Sequence, residues 1–175
     1  MKLDVATLNC EYSDVDPLKP VEAAVKLFPH TWDDINYLGD FLSYYDRKFF
    51  VNGEPCPAFE KKKLIKRLKK IKREPPLLGI TSYLVYQETY FVQNARYKII
   101  RQTVHEYMDE VGFISLFELK IDESKVIAHA LGHNRKLSHH KVPKDLMYQD
   151  LIRESNVPVL FCPECTYKLM LIRDI

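Results

Sequence analysis

The sequence predicts an α/β (α+β) domain on a mixed, twisted sheet, and three observations predict it. Strand-like and helix-like segments interleave along the chain, the order that mixed-sheet domains show. The chain has 175 residues, one domain's worth at ~100–200 residues per domain. It is 46% hydrophobic and 29% charged, enough to fill a core without disulfide staples and unlike a disordered chain.

The elements follow in order. Residues 2–8 alternate apolar and polar as a first strand does. Residues 33–45, DDINYLGDFLSYY, open on acids and predict a helix. Residues 48–51 form a short strand ended by the turn pair Asn52-Gly53. Residues 59–73 predict a helix with Leu64, Ile65, Leu68 and Ile71 on one face, stopped by Glu74-Pro75-Pro76. Residues 77–86, LLGITSYLVY, predict a buried strand. Residues 99–110 fit a helix or a strand. Residues 112–120, GFISLFELK, predict a strand, expected to be the edge of the sheet. Asp122 can cap a helix running to about residue 134.

Several classes fall away. No apolar run approaches the ~18 residues that span a bilayer. The start, MKLDVATLNCEY, lacks the apolar core of a secretory signal, so a cytoplasmic address is expected. Net charge is +2, unevenly placed: of 26 Lys/Arg, nine lie in residues 61–73, and the other 17 face 24 Asp/Glu, a balance of −7. Such a segment can bind nucleic acid. It also fits a solvated helix face whose lysine stems cover the body. The second reading is preferred because no aromatics interleave with the cations. Cys10 and Cys56 read as small buried thiols. Cys162-Pro-Glu-Cys165 suggests metal or redox chemistry.

Residues 129–140 read HALGHNRKLSHH and hold four of the six histidines. His129 and His133, four apart on a helix, project from one face, the spacing by which a helix offers two nitrogens to zinc. If the chain turns back, His139 completes a three-nitrogen site with an open fourth position.

This segment resembles the metzincin signature H-E-x-x-H-x-x-G-x-x-H with its later Met-turn. More closely it is similar to the archaemetzincins, small zinc metallopeptidases, over about residues 76–170. The resemblance implies a single metzincin-like zincin domain over residues 1–175, with an N-terminal subdomain to about 134 and a short C-terminal zinc-binding subdomain over 135–175. It assigns His129, His133 and His139 to the catalytic zinc and Met147 to the Met-turn. It implies a second, structural zinc at the positions of His140, Asp145, Cys162 and Cys165, where the family has four cysteines. Two zinc ions, a peptide or protein substrate and a monomer are expected, with neither membrane nor nucleic acid as partner.

The departures carry chemistry. Ala130 stands at the general-base glutamate, and a methyl group accepts no proton; losing such a base costs ~10²–10⁴-fold or more. The chain is therefore expected to be inactive or strongly impaired, and natural loss or deliberate replacement both account for the alanine. Lys136 stands where a glycine ends the helix, so Asn134 or another turn is expected to take over. His140 and Asp145 replace two cysteines with groups that also bind zinc. Two other functions stay open: a non-catalytic, zinc-stabilised peptide-binding relative, and a nucleic-acid-binding module using residues 61–73.

Overall fold

A computed structural model describes residues 1–10, 16–29, 32–93, 95–143, 145–149, 151 and 160–171. Nine strands and four helices alternate among them: β1 (Lys2–Leu8), α1 (Leu18–Val25), β2 (Asp34–Phe41), β3 (Arg47–Val51), β4 (Glu54–Glu60), α2 (Lys61–Ile71), β5 (Leu77–Thr81), β6 (Leu84–Gln93), β7 (Ala95–Gln102), β8 (His105–Met108), β9 (Val111–Ser115), α3 (Glu123–Asn134) and α4 (Pro163–Leu171). No helix among the described residues is long and apolar enough to cross a membrane.

The main sheet has the order β2-β1-β5-β9-β8. Its first three pairings are parallel and β8 alone runs antiparallel, against β9. A second sheet, β3-β4-β6-β7, leans on it. Strand β1 shows why the main sheet is covered on both faces. Leu3 and Val5 pack with Val21, Ile127 and Leu131 of α1 and α3. Ala6 and Leu8 point the other way, to Leu64, Ile65 and Leu68 of α2. Apolar area buried on both faces stabilises this three-layer arrangement. Gly79 permits the close seat of α2, since a Cβ there would lie 2.6 Å from a methyl of Leu68.

Four expectations are corrected. Residues 33–45 are not a helix: β2 pairs in parallel beside β1, with a register shift opposite Val5–Thr7 where Gly39 takes φ +105°. Ile35, Tyr37 and Phe41 suit a pleated edge, and pairing to β1 overrides the acidic start. The apolar run 77–86 is two strands, because the chain leaves the main sheet at Ser82-Tyr83 and continues in the second. Residues 112–120 are not the edge. Strand β9 ends at Ser115, is buried throughout and lies between β5 and β8, as its unbroken apolar run requires. The edges are β2 and β8, and β8 comes from the segment 99–110 that was open between helix and strand. The helix of 59–73 is shorter than read, since Phe59 and Glu60 end β4 and Glu60 then caps α2 by accepting the Lys63 amide at 2.9 Å.

Candidate metal centre

Helix α3 begins where Asp122 accepts the amide of Ser124 at 2.9 Å, satisfying a donor the first turn leaves unpaired. It buries Val126 through Gly132 against α1, β8 and β9. His129 is 2% exposed and His133 lies one turn on. The helix closes through Lys136 N–H to His133 carbonyl (2.9 Å) and Leu137 N–H to Gly132 carbonyl (3.0 Å), the paired bonds of a Schellman stop. Lys136 itself takes the left-handed conformation, φ +60°. The expectation that Asn134 or another turn would assume this role is overturned. The lysine accepts the strain, about 1–2 kcal/mol for a residue with a Cβ.

This stop turns the chain back and brings His139 to the other two. The three Nε2 atoms lie 2.9 Å (129–139), 3.1 Å (129–133) and 2.9 Å (133–139) apart. The opposite nitrogens fix two tautomers: His129 Nδ1 stands 2.5 Å from the Leu146 carbonyl and His133 Nδ1 3.0 Å from that of Leu137. A carbonyl only accepts, so both Nδ1 atoms donate and both Nε2 lone pairs point at each other. Facing lone pairs repel unless a cation lies between them, so the residues present fit a metal ion. Burial pushes the His129 pKa down to about 3 and lowers those of His133 and His139. The imidazoles are thus neutral at pH 7, the state a metal needs.

A second donor group lies beside the first. The donor atoms of His140, Asp145, Cys162 and Cys165 fall within 4.8 Å of one another. His140 Nε2 is 2.7 Å from Asp145 Oδ2, 3.7 Å from Cys162 Sγ and 3.4 Å from Cys165 Sγ. Asp145 is fully buried. Burial pushes its carboxyl up, but hydrogen bonds from Cys162 and the Met147 amide prevail and hold it low. Burial and the Asp145 charge push the Cys165 thiol well up. A buried carboxylate between two thiols fits a cation, which would invert that shift and favour the thiolates.

Residues 145–147 serve both groups. Asp145 Oδ1 accepts the Met147 amide at 2.5 Å and Oδ2 the Cys162 amide at 2.9 Å. The Leu146 carbonyl holds His129. Met147 is fully buried beneath α3, where a Cβ on Gly132 would lie 2.5 Å from its sulfur.

The seven ligand candidates named from the sequence thus fall into two adjacent groups of close donor atoms. Ala130 is fully buried in the apolar cluster, and among the described residues no carboxylate joins the three histidines. One neighbour escaped the sequence reading. His105 of β8 places its ring 4.8 Å from that of His129 and 6.2 Å from that of His133, with Nδ1 buried and without a hydrogen-bond partner. It lies 24 residues before His129, and no local spacing could have revealed the contact.

A three-histidine helix-and-turn group against a mixed sheet, backed by a buried methionine, is like the arrangement of zinc metallopeptidase folds that carry a Met-turn. No protein-family model and no curated protein sequence matches the chain. Solved structures do. The archaemetzincin from Methanopyrus kandleri is similar at a TM-score of 0.68 and 18% identity, over 98% of this chain and 94% of that one. The archaemetzincin from Archaeoglobus fulgidus, complexed with malonate, gives 0.58 and 18% over 96% and 99%. A zinc-dependent peptidase from Methanocorpusculum labreanum gives 0.64 and 14% over 95% and 99%. The chain therefore has the archaemetzincin fold, as its residues led us to expect.

Proposed function

We propose that this chain is an archaemetzincin-like zinc metallopeptidase that keeps its metal centre and lacks the proton acceptor for turnover. The observation that carries this reading is the convergence of three Nε2 atoms at 2.9–3.1 Å, two of them fixed as lone-pair donors from behind. His129, His133 and His139 would hold one zinc, and His140, Asp145, Cys162 and Cys165 a second, structural one. This second set would tie a C-terminal subdomain, from about residue 135, to the helix stop. Zinc at the first centre would supply Lewis acidity toward a peptide carbonyl.

The residues of this chain do the rest. The exposed edge β8 offers unpaired backbone groups to which an extended peptide can add as a strand. The Leu137 and Leu146 carbonyls hold His133 and His129 in the donor tautomer. Ala130 accepts no proton, and so the chain binds zinc and peptide with hydrolysis absent or strongly impaired. The complete burial of Ala130 in the apolar cluster favours a second reading, in which peptide binding without turnover is the native activity.

Ala130→Glu and Ala130→Gln test the two together, since they differ in the carboxylate and hardly in size. Cleavage of unstructured peptides by the Glu form alone, abolished by chelation, supports a peptidase ancestry. Peptide binding by both forms with cleavage by neither supports the binding reading. Equal cleavage by the Ala form overturns the assignment of position 130.

A further inference from the structure

Helix α2 carries more positive charge than its surroundings neutralise. Its apolar face is committed, with Leu64, Ile65 and Leu68 buried and Ile71 packed beside them. The flanks are ion-paired: Lys61 to Glu106, Lys63 and Arg67 to Asp46, and Lys72 to Glu110. Lys69 stands 3.6 Å from the exposed Asp109. Lys62, Lys66 and Lys70, with Arg73 just beyond the helix, are exposed, and among the described residues none is paired to a carboxylate. At 3.6 residues per turn Lys62, Lys66 and Lys70 fall within roughly 80° of arc, opposite the apolar residues, over about 12 Å of axis, and Arg73 follows where the chain leaves the helix at the extended Lys72.

We propose that the Lys62/Lys66/Lys70/Arg73 stripe is a docking surface for the phosphate backbone of a nucleic-acid duplex, read without regard to sequence. The preference for a solvated face rests on the absence of interleaved aromatics, which counts against stacking of a single strand and not against a duplex; the ion pairs occupy the flanks and leave the stripe. One strand of duplex carries a phosphate about every 3.4 Å of axis, so the roughly 12 Å from Lys62 to Lys70 spans about four phosphates, with Arg73 at the end of the stripe. Duplex is favoured over single strand because no aromatic lies in the stripe to stack a base. A lipid surface is disfavoured because an interfacial helix must offer an apolar face, and that of α2 is buried in the body. The acids Glu60, Glu74, Asp109 and Glu110 bound the footprint and limit it to one helix length. Helices α2 and α3 pack on opposite faces of the main sheet, so a docked duplex leaves the histidine cluster clear.

The test is fluorescence anisotropy of a short labelled DNA duplex with the full chain over a salt series. Four phosphate contacts give a slope of log K against log salt of about −3.6, with Kd about 10⁻⁴–10⁻⁶ M at physiological salt. Lys62→Gln/Lys66→Gln/Lys70→Gln should cut the slope to about −0.9 and abolish measurable binding at physiological salt, with helical circular dichroism unchanged. Lys19→Gln/Lys26→Gln/Lys120→Gln removes equal charge from exposed positions elsewhere and should leave slope and affinity as they were. Equal effects of the two triple variants, no binding at about 50 mM salt, or binding to anionic phospholipid vesicles but not to duplex would overturn the proposal. Zinc content plays no part in these outcomes, so the proposal and the metallopeptidase reading stand or fall separately.

Discussion

His139 and His140 are consecutive in the chain, yet their imidazoles join different donor groups. His139 Nε2 lies 2.9 Å from those of His129 and His133, while His140 Nε2 lies 2.7 Å from Asp145 Oδ2. The same division recurs in the segment that faces them, where Asp145 belongs to one group and the Leu146 carbonyl orients His129 in the other. The two groups therefore share two stretches of backbone, and displacing either stretch disturbs both.

Asp145→Asn should accordingly act at a distance. The amide keeps the volume but loses an acceptor for the Met147 or Cys162 amide and weakens the second donor set. Zinc at the second group should be lost, and affinity at the histidine cluster should fall about 10–100-fold, the usual effect of disturbing a group that orients a ligand. Competition titration with a zinc chelator checks this; an unchanged first affinity would show that the groups are independent.

Gly132→Ala should destabilise the fold although alanine is the better helix former. The new Cβ would meet the Met147 sulfur at 2.5 Å in a fully buried site, and overpacking of this kind costs about 1–3 kcal/mol. Denaturant unfolding measures it. Lys136→Gly should act in the opposite sense, relieving the φ of +60° for a gain of about 0.5–1 kcal/mol, the left-handed strain less the entropy of the freer unfolded chain.

The metal-free protein should lose stability as pH falls. Burial lowers the pKa of His129 to about 3 and lowers those of His133 and His139. Below about 6.5 the unfolded chain takes up protons that the folded chain refuses, so the unfolded state gains. Stability should be fullest above pH 6.5 and decline between there and about pH 3, with the slope shared among His129, His133, His139 and the neighbouring His105, whose pKa burial also lowers. Melting of chelator-treated protein across that range tests the sign, which a pair of salt-bridged histidines would reverse.

The site was more legible in the sequence than the sheet was. His129 and His133 lie one turn apart on a capped helix, and local spacing fixes such a pair wherever the helix sits. Asp122, the helix end and Met147 are local signals of the same kind. What failed was decided by distant partners. Asp34–Phe41, within the stretch 33–45 read as a helix, becomes a strand because β1 offers an edge, and β9 is interior because β8 adds outside it. Lys136 shows the reverse: its left-handed turn is demanded by the return of His139, and a residue ill suited to it is forced to comply. His105 reaches the cluster only through the antiparallel return of β8, which no spacing within the chain announces.

The most direct test of the account is the zinc content of the tag-free chain and its His133→Ala variant, each purified under reducing conditions and dialysed against trace zinc. The account predicts that His133→Ala carries one zinc fewer than the parent and retains the zinc bound by His140, Asp145, Cys162 and Cys165. Equal zinc in the two proteins would contradict the assignment of His129, His133 and His139 as a metal centre.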